Sequence, residues 1–339
     1  MADSAGARRR SIDVHSHLLP EECYEIPTAD GTALLTEVDG RLLLDGFPIE
    51  TTRRELSNPD VLLADMDRAG IWMRAVAPPP YAFAADAPGD RAAPFASAVN
   101  DGVAAACARA PERLVGLGIL PLGDLGLARA ELDRLLEKPA FVGVTVPPLV
   151  AARSFDRDPL RTILGEAVRH DMAVLVHPMQ MCGPGLDHHY LRNLLGNPVE
   201  STAAIGALLL SGLFEELPDL RIAFVHGGGC APWLLGRWDH GWRSRADVRA
   251  DSTAPPSETF HKHVYVDLLT HDDLAARFLL ARGDREHVLL GSDYPWDMGE
   301  SDPIGAALRA GADLEQLAAN ARRFLGLDAV EATTGIEPV

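Results

Sequence analysis

Four short segments of this chain end in groups that bind metals or move protons. SIDVHSH (11–17) carries His15 and His17, MAVLVHP (172–178) carries His177, RIAFVHGG (221–228) carries His226, and HVLLGSDYP (287–295) carries Asp293. Each group closes a run of apolar, often β-branched residues, the pattern of a buried strand running out into a loop. Imidazole and carboxylate suit Zn²⁺ or a similar first-row ion such as Mn²⁺, and a catalytic ion needs one position left open for substrate or water. Taken singly, a histidine at a strand end is more often a hydrogen-bonded structural residue. The reading rests on four strand ends carrying such groups together. His15, His17, His177 and Asp293 then supply the ligands, and His226 stands beside them as acid or base. Side chains alternate along a strand, so Asp13, His15 and His17 are expected on one face.

The elements that must position these groups recur along the chain. Four further strand-length runs, WMRAVAP (72–78), LVGLGILP (114–121), FVGVTVPP (141–148) and VYVDLLT (264–270), bring the total to eight. Segments of helical periodicity, such as PDVLLADMDRAG, LGLARAELDRLLE and DDLAARFLLARG, separate most of them. Eight alternating units predict an α/β fold of the (β/α)₈ TIM-barrel type, with catalytic groups at the C-terminal ends of the strands. A doubly wound open sheet is the runner-up, but the first strand lacks the G-x-G-x-x-G turn. No linker divides the 339 residues, so residues 1–339 read as one barrel domain. An insertion at 24–57 contains ALLTEVDGRLLLDG, in which Asp39-Gly40 suits a type I′ turn. A small β-hairpin over the barrel mouth is expected there.

Lysine is scarce: Lys138 and Lys262 are the only two. Two-metal barrels need a bridging ligand, commonly a carboxylated lysine ending the fourth strand, and Schiff-base barrels need an interior amine. Both lysines precede their strands, and the fourth strand ends Thr145-Val146-Pro147-Pro148, so one metal and no imine chemistry are expected. A formal net charge of −18 argues against nucleic acid and anionic membrane as partners. The longest mostly apolar segment, TAAIGALLLSGLF, is shorter than the ~20 residues that span a bilayer. Four cysteines without a C-x-x-C pair fit a reducing compartment, and the N-terminus lacks the apolar stretch of an export signal. A cytoplasmic protein is expected.

The motifs IDVHSHLLP, LVHP, FVHGGG and LGSDYPW, in this order, resemble the amidohydrolase superfamily, and within it the 2-amino-3-carboxymuconate-6-semialdehyde decarboxylase group. LLSGLFEELPDLRI and LLGRWDHGWR extend the resemblance over nearly the whole chain. It implies a mononuclear zinc barrel with His15, His17, His177 and Asp293 on the metal and His226 as general acid/base. It also implies a homodimer in which Arg237 reaches the neighbour's site; sequence alone favours a surface arginine paired with Asp239 or Glu215. His189 falls where the group carries an aromatic residue, and Trp296 closes the last motif; both are expected at the substrate. The loop's His188, His189, Tyr190 and Arg192 read either as substrate contacts or as a solvated polar stretch, with solvent favoured for His188 and Arg192. At the group's carboxylate-gripping arginine this sequence aligns Glu50, with Arg53 and Arg54 close by. Either the alignment slips or the substrate carries fewer carboxylates.

The resemblance implies non-oxidative decarboxylation of a small unsaturated or aromatic carboxylic acid. Loss of CO₂ leaves an electron pair on carbon, which a nearby cation stabilises and a delivered proton quenches. The same groups serve hydrolysis of a C–N bond or lactone, the alternative activity. A catalytically silent binding barrel is the third reading, and loss of a ligand or of His226 would be its mark.

Overall fold

The computed structural model describes residues 11–25, 36–44, 47–49, 51–83, 89–179, 185–283 and 285–327. In chain order its strands are β1 (Ile12–His17), β2 (Thr36–Val38), β3 (Arg41–Leu44), β4 (Phe47–Ile49), β5 (Met73–Ala77), β6 (Leu114–Gly118), β7 (Phe141–Val146), β8 (Ala173–Val176), β9 (Ile222–Phe224), β10 (Val264–Asp267) and β11 (Val288–Leu289). Each of the eight expected runs holds one strand of a parallel sheet ordered β1, then β5 through β11. Its two ends meet where the Val14 amide donates to the Leu290 carbonyl at 2.9 Å and the His17 amide to the Tyr294 carbonyl at 2.7 Å. The sheet thereby closes into a (β/α)₈ barrel.

Two apolar clusters show which way the strands face. The inner one takes alternate residues, among them Val115 and Leu117 of β6 and Leu175 of β8. Phe324 and Leu325 of the helix Leu314–Leu325 join it from below. That helix is tied to the N-terminal end of β11 by Asn320, whose amide nitrogen donates to the carbonyls of Arg285 and Val288. Val144, Val146, Val174 and Val176 point the other way, into the layer shared with the surrounding helices. Some helices begin where a side chain satisfies their first free amides: Asn58 before Pro59–Ala69, Asp124 before Leu125–Leu136, Asp313 before Leu314–Leu325. Such a cap contributes about 1 kcal/mol and fixes where the chain turns back along the barrel.

β1 breaks the alternation. Asp13 pairs with Arg74 and Ser16 with Val76, so three steps along β1 match two along β5. Ile12 and Val14 belong to the inner cluster, which turns Asp13 outward onto Arg74, while the extra residue brings His15 back inside. The expectation that Asp13 shares a face with His15 and His17 is therefore corrected: a β-bulge intervenes, and bulges are devices that re-aim side chains next to sites.

The insertion is larger than a hairpin. Asp39 and Gly40 have φ of 52° and 76°, as a type I′ turn requires. β4 then pairs antiparallel with β3, giving a three-stranded sheet. Pro48, which withholds a donor, sits on the edge strand where it costs no ladder bond. Among the described residues no helix is long and apolar enough to cross a membrane. Cys23 and Cys107 are buried and Cys230 exposed, all as free thiols; Cys182 lies outside the described residues.

Candidate metal centre

The four predicted strand ends converge at the C-terminal mouth of the barrel. His15 and His17 leave β1 beyond the bulge, His177 follows β8, His226 follows β9 and Asp293 follows β11. Neighbouring imidazole centroids lie 5.0 to 5.4 Å apart around this point. One ligand atom from each of His15, His177, His226 and Asp293 falls within 4.8 Å of the others. His17 joins through Nε2, 3.0 Å from Asp293 Oδ1. Geometry thus offers five donors, with His226 inside the tight group and His17 bound to it through Asp293. Exposure separates them: the His15 and His17 side chains are at most 1% exposed, whereas that of His226 is 19% exposed and faces open space.

Backbone geometry aims these groups. His226 and Asp293 hold φ of 55° and 59°. Non-glycine residues in this left-handed region cost roughly 1–3 kcal/mol each and collect at functional sites. After His226 come three glycines with positive φ. A Cβ on Gly229 would lie 2.2 Å from the Pro198 carbonyl oxygen, so only glycine lets the turn pass. His177 Nδ1 lies 2.8 Å from the Pro178 carbonyl, which fixes Nδ1 as the donor and frees Nε2.

The donor set fits a metal ion. His15 Nε2 and His177 Nε2 are buried and accept no hydrogen bond; His15 Nε2 lies 3.1 Å from Asp293 Oδ1 without the alignment of one. Buried nitrogens left without a partner are costly unless something else binds them. The electrostatics agree. Burial opposes protonation of His15, but Asp293 and Asp267 outweigh it and raise its pKa to about 10, so these acids call for a positive charge at the centre, which a bound cation would supply. Burial and the neighbouring imidazoles push His177 well below its ordinary value, and burial also lowers His17. Burial works against ionised Asp293, yet the imidazoles, led by His15, hold its carboxyl well below the usual carboxylate range.

Two cavities open on the centre. One, of about 520 Å³, runs from His226 and Asp293 to Trp233 and Phe278, past Asn193, Asn197 and Leu269. The other is lined by His177, Tyr190, Trp296, Tyr81 and Ile49, the last bringing the insertion to the mouth. Trp296 packs near His17, with centroids 5.8 Å apart. His189, in contrast, is exposed and lines neither cavity; its neighbour Tyr190 does. Arg237 is exposed on the helix Ala231–Ser244. It pairs with neither Asp239, which accepts from Ser257, nor Glu215, which accepts from Thr253.

Glu50 lies outside the described residues. Arg53 is paired with Glu21 and stacked on Tyr24, and it lines neither cavity. Among the described residues, neither cavity has an arginine or lysine in its wall. Lys138 pairs with Asp101, and Lys262 belongs to the helix Pro256–His263 that precedes β10. The inward position near the end of β7, where a bridging lysine would stand, is Thr145. Sequence reasoning missed Asp267, Asn193, Asn197 and Tyr81, because a lone polar group beside an apolar run looks the same whether it faces a site or solvent.

A closed (β/α)₈ barrel with imidazoles and a carboxylate converging at its C-terminal mouth defines a metal-dependent barrel enzyme. The sequence pattern of the amidohydrolase family matches residues 12–327, and the chain belongs to that family. It is 29% identical to the 2-amino-3-carboxymuconate-6-semialdehyde decarboxylase of Dictyostelium discoideum, over 95% of this chain and 93% of the relative. It is 28% identical to the gamma-resorcylate decarboxylase of a Rhizobium species, over 82% and 90%. The fold matches the crystal structure of a dihydroxybenzoic acid decarboxylase from a Polaromonas species with bound manganese, at a TM-score of 0.75 and 22% identity, covering 94% of this chain and 97% of that one.

Proposed function

We propose that this protein is a metal-dependent, non-oxidative decarboxylase of a small unsaturated or aromatic carboxylic acid. The observation that carries the reading is the convergence of buried, unpartnered imidazole nitrogens on Asp293 beside a largely apolar cavity. His15, His17, His177 and Asp293 would hold one ion per chain, Zn²⁺ in the first place with Mn²⁺ as the alternative. When bound, the ion supplies Lewis-acid stabilisation of the negative charge that develops on the substrate.

The chain's own residues account for the rest. Breaking the bond to the carboxylate releases CO₂ and leaves its electron pair on carbon, which must take up one proton. His226 is the side chain suited to carry that proton: it reaches the cavity, and its Nε2 lies 3.4 Å from Asp293 Oδ2, which orients the ring. Trp296 and Tyr81, with ring centroids 5.9 Å apart, wall the smaller cavity and limit the water that reaches the centre. The apolar wall from Leu269 to Trp233 and Phe278 favours a flat or unsaturated substrate body.

The substrate carboxylate finds no cation in the described walls of this protomer. The resemblance to the decarboxylase group assigns Arg237 to the site of a second subunit in a homodimer, and we adopt that assignment; its exposure and its lack of an ion-pair partner among the described residues support it. The free thiols support a reducing location, the cytoplasm. A panel of hydroxybenzoates, muconate-type acids, amides and lactones tests the function. CO₂ release from the acids is the expected result; acid or amine formation from the amides or lactones without CO₂ would replace the decarboxylase with the hydrolase reading.

A further inference from the structure

Asp267, the last residue of β10, lines neither cavity and is 1% exposed, yet it touches two sides of the centre. Its Oδ2 accepts a hydrogen bond from His15 Nδ1 at 2.8 Å. Its Oδ1 accepts from the Gly227 amide at 2.8 Å and from the Leu269 amide at 3.2 Å. Gly227 directly follows His226, and both occupy the left-handed region, with φ of 64° and 55°. A third element makes room for this arrangement: a Cβ on Gly291 would stand 2.8 Å from Asp267 Oδ2 and 2.9 Å from His15 Cβ. The strand end beside the pair is bare where the carboxylate must reach the ring.

We propose that Asp267 is a positioning residue that sets a metal ligand and the proton-transfer residue together. One oxygen holds His15 as the Nδ1–H tautomer, so that Nε2 presents its lone pair to the centre. The other clamps the turn that carries His226, so that ring is held in register with the ligand. A carboxylate can do both because it offers two acceptor oxygens and no donor; an asparagine offers one acceptor, and either the ring or the amide must face its NH₂. The proposal rests on the metal reading of the site, and partners of this kind behind a ligating histidine commonly change metal affinity about 10–100-fold when removed.

The test uses the purified full-length protein and its Asp267→Asn and Asp267→Ala variants, with Zn²⁺ affinity measured by competition against a chromogenic chelator. Hydrogen exchange of the peptide spanning His226–Gly229 is followed by mass spectrometry. Asp267→Ala is expected to lose about 10–100-fold in Zn²⁺ affinity and to exchange faster over that peptide, and Asp267→Asn to lose at least one of the two. A carboxylate that merely closes a loop would leave Zn²⁺ affinity unchanged, and that result would overturn the proposal while wild-type binding keeps the metal reading intact. A wild-type chain that takes up neither Zn²⁺ nor Mn²⁺ overturns both. Should the variants not fold, imidazole ¹⁵N spectra of the Zn²⁺-loaded wild type decide: His15 protonated at Nδ1 supports the proposal, and His15 protonated at Nε2 removes it.

Discussion

Arg74 and Asp13 lock together behind the metal centre, Nε to Oδ2 at 2.9 Å, with side chains 1% and 0% exposed. Asp13 also accepts from the His15 amide at 3.1 Å and from the amide and hydroxyl of Ser292 at 3.1 and 2.5 Å. The guanidinium lies 4.5 Å over the Tyr294 ring and reaches Asp65 at 2.8 Å. The pair therefore braces the bulge before His15 and the residues on both sides of Asp293. The outward turn of Asp13, which removes it from the ligands, is what makes the brace.

Breaking one half of that pair strands a buried charge. Arg74→Met is expected to cost about 3–5 kcal/mol in denaturant unfolding, and Asp13→Asn combined with it to recover part of the loss. Equal stability of Arg74→Met and wild type would show that the pair holds nothing.

Chelation should abolish turnover, and Zn²⁺ or Mn²⁺ should restore it. An ion present at 100 times its dissociation constant stabilises the folded chain by about 2.7 kcal/mol, so the thermal midpoint should fall on stripping and rise on reloading. A stripped protein that keeps both its activity and its midpoint would contradict the centre.

His226→Ala should retain metal and lose about 10²–10⁴-fold in kcat, the usual contribution of a placed proton-transfer group. Metal content measured on the same sample separates the roles: loss of the ion along with activity would make His226 a ligand, as its place inside the 4.8 Å group allows.

Arg237→Ala should be inactive as a homodimer and regain activity when mixed with His226→Ala subunits, because each mixed dimer then holds one complete site. Ordinary turnover by Arg237→Ala alone would return this residue to the surface.

Gly229→Ala forces a Cβ against the Pro198 carbonyl at a φ of 62°. A loss above about 1 kcal/mol is expected in unfolding, together with reduced kcat as the His226 turn shifts. Unchanged kcat would mean that the turn absorbs the strain without moving the imidazole.

The barrel was legible because burial on both faces turns each strand into an apolar run, and the helices between keep their own period. His15, His17, His177, His226 and Asp293 stood out because polar residues ending such runs are few, and the structure brings them together. The bulge in β1 was not legible: one extra residue leaves no mark on a run whose residues are all buried. Nor was Asp267, whose acid at the end of VYVDLLT acquires meaning only through His15, 252 residues away. His189 and Tyr190 are adjacent in sequence, and which of them turns toward the cavity depends on the local backbone, where both have positive φ. β4 escaped notice because three residues with a proline make no pattern.

The centre draws on both ends of the barrel, for His17 and Asp293 touch across a separation of 276 residues. On the ribosome, the first strand must wait until Asp293, 276 residues after His17, has been made before its histidines meet their acid. Contacts so distant in sequence are closed late and slowly, since the loop must be ordered before the contact rewards it. The complete centre therefore becomes available only when the ring of strands has shut, and a captured ion would then act as a clasp on the seam between the first strand and the last.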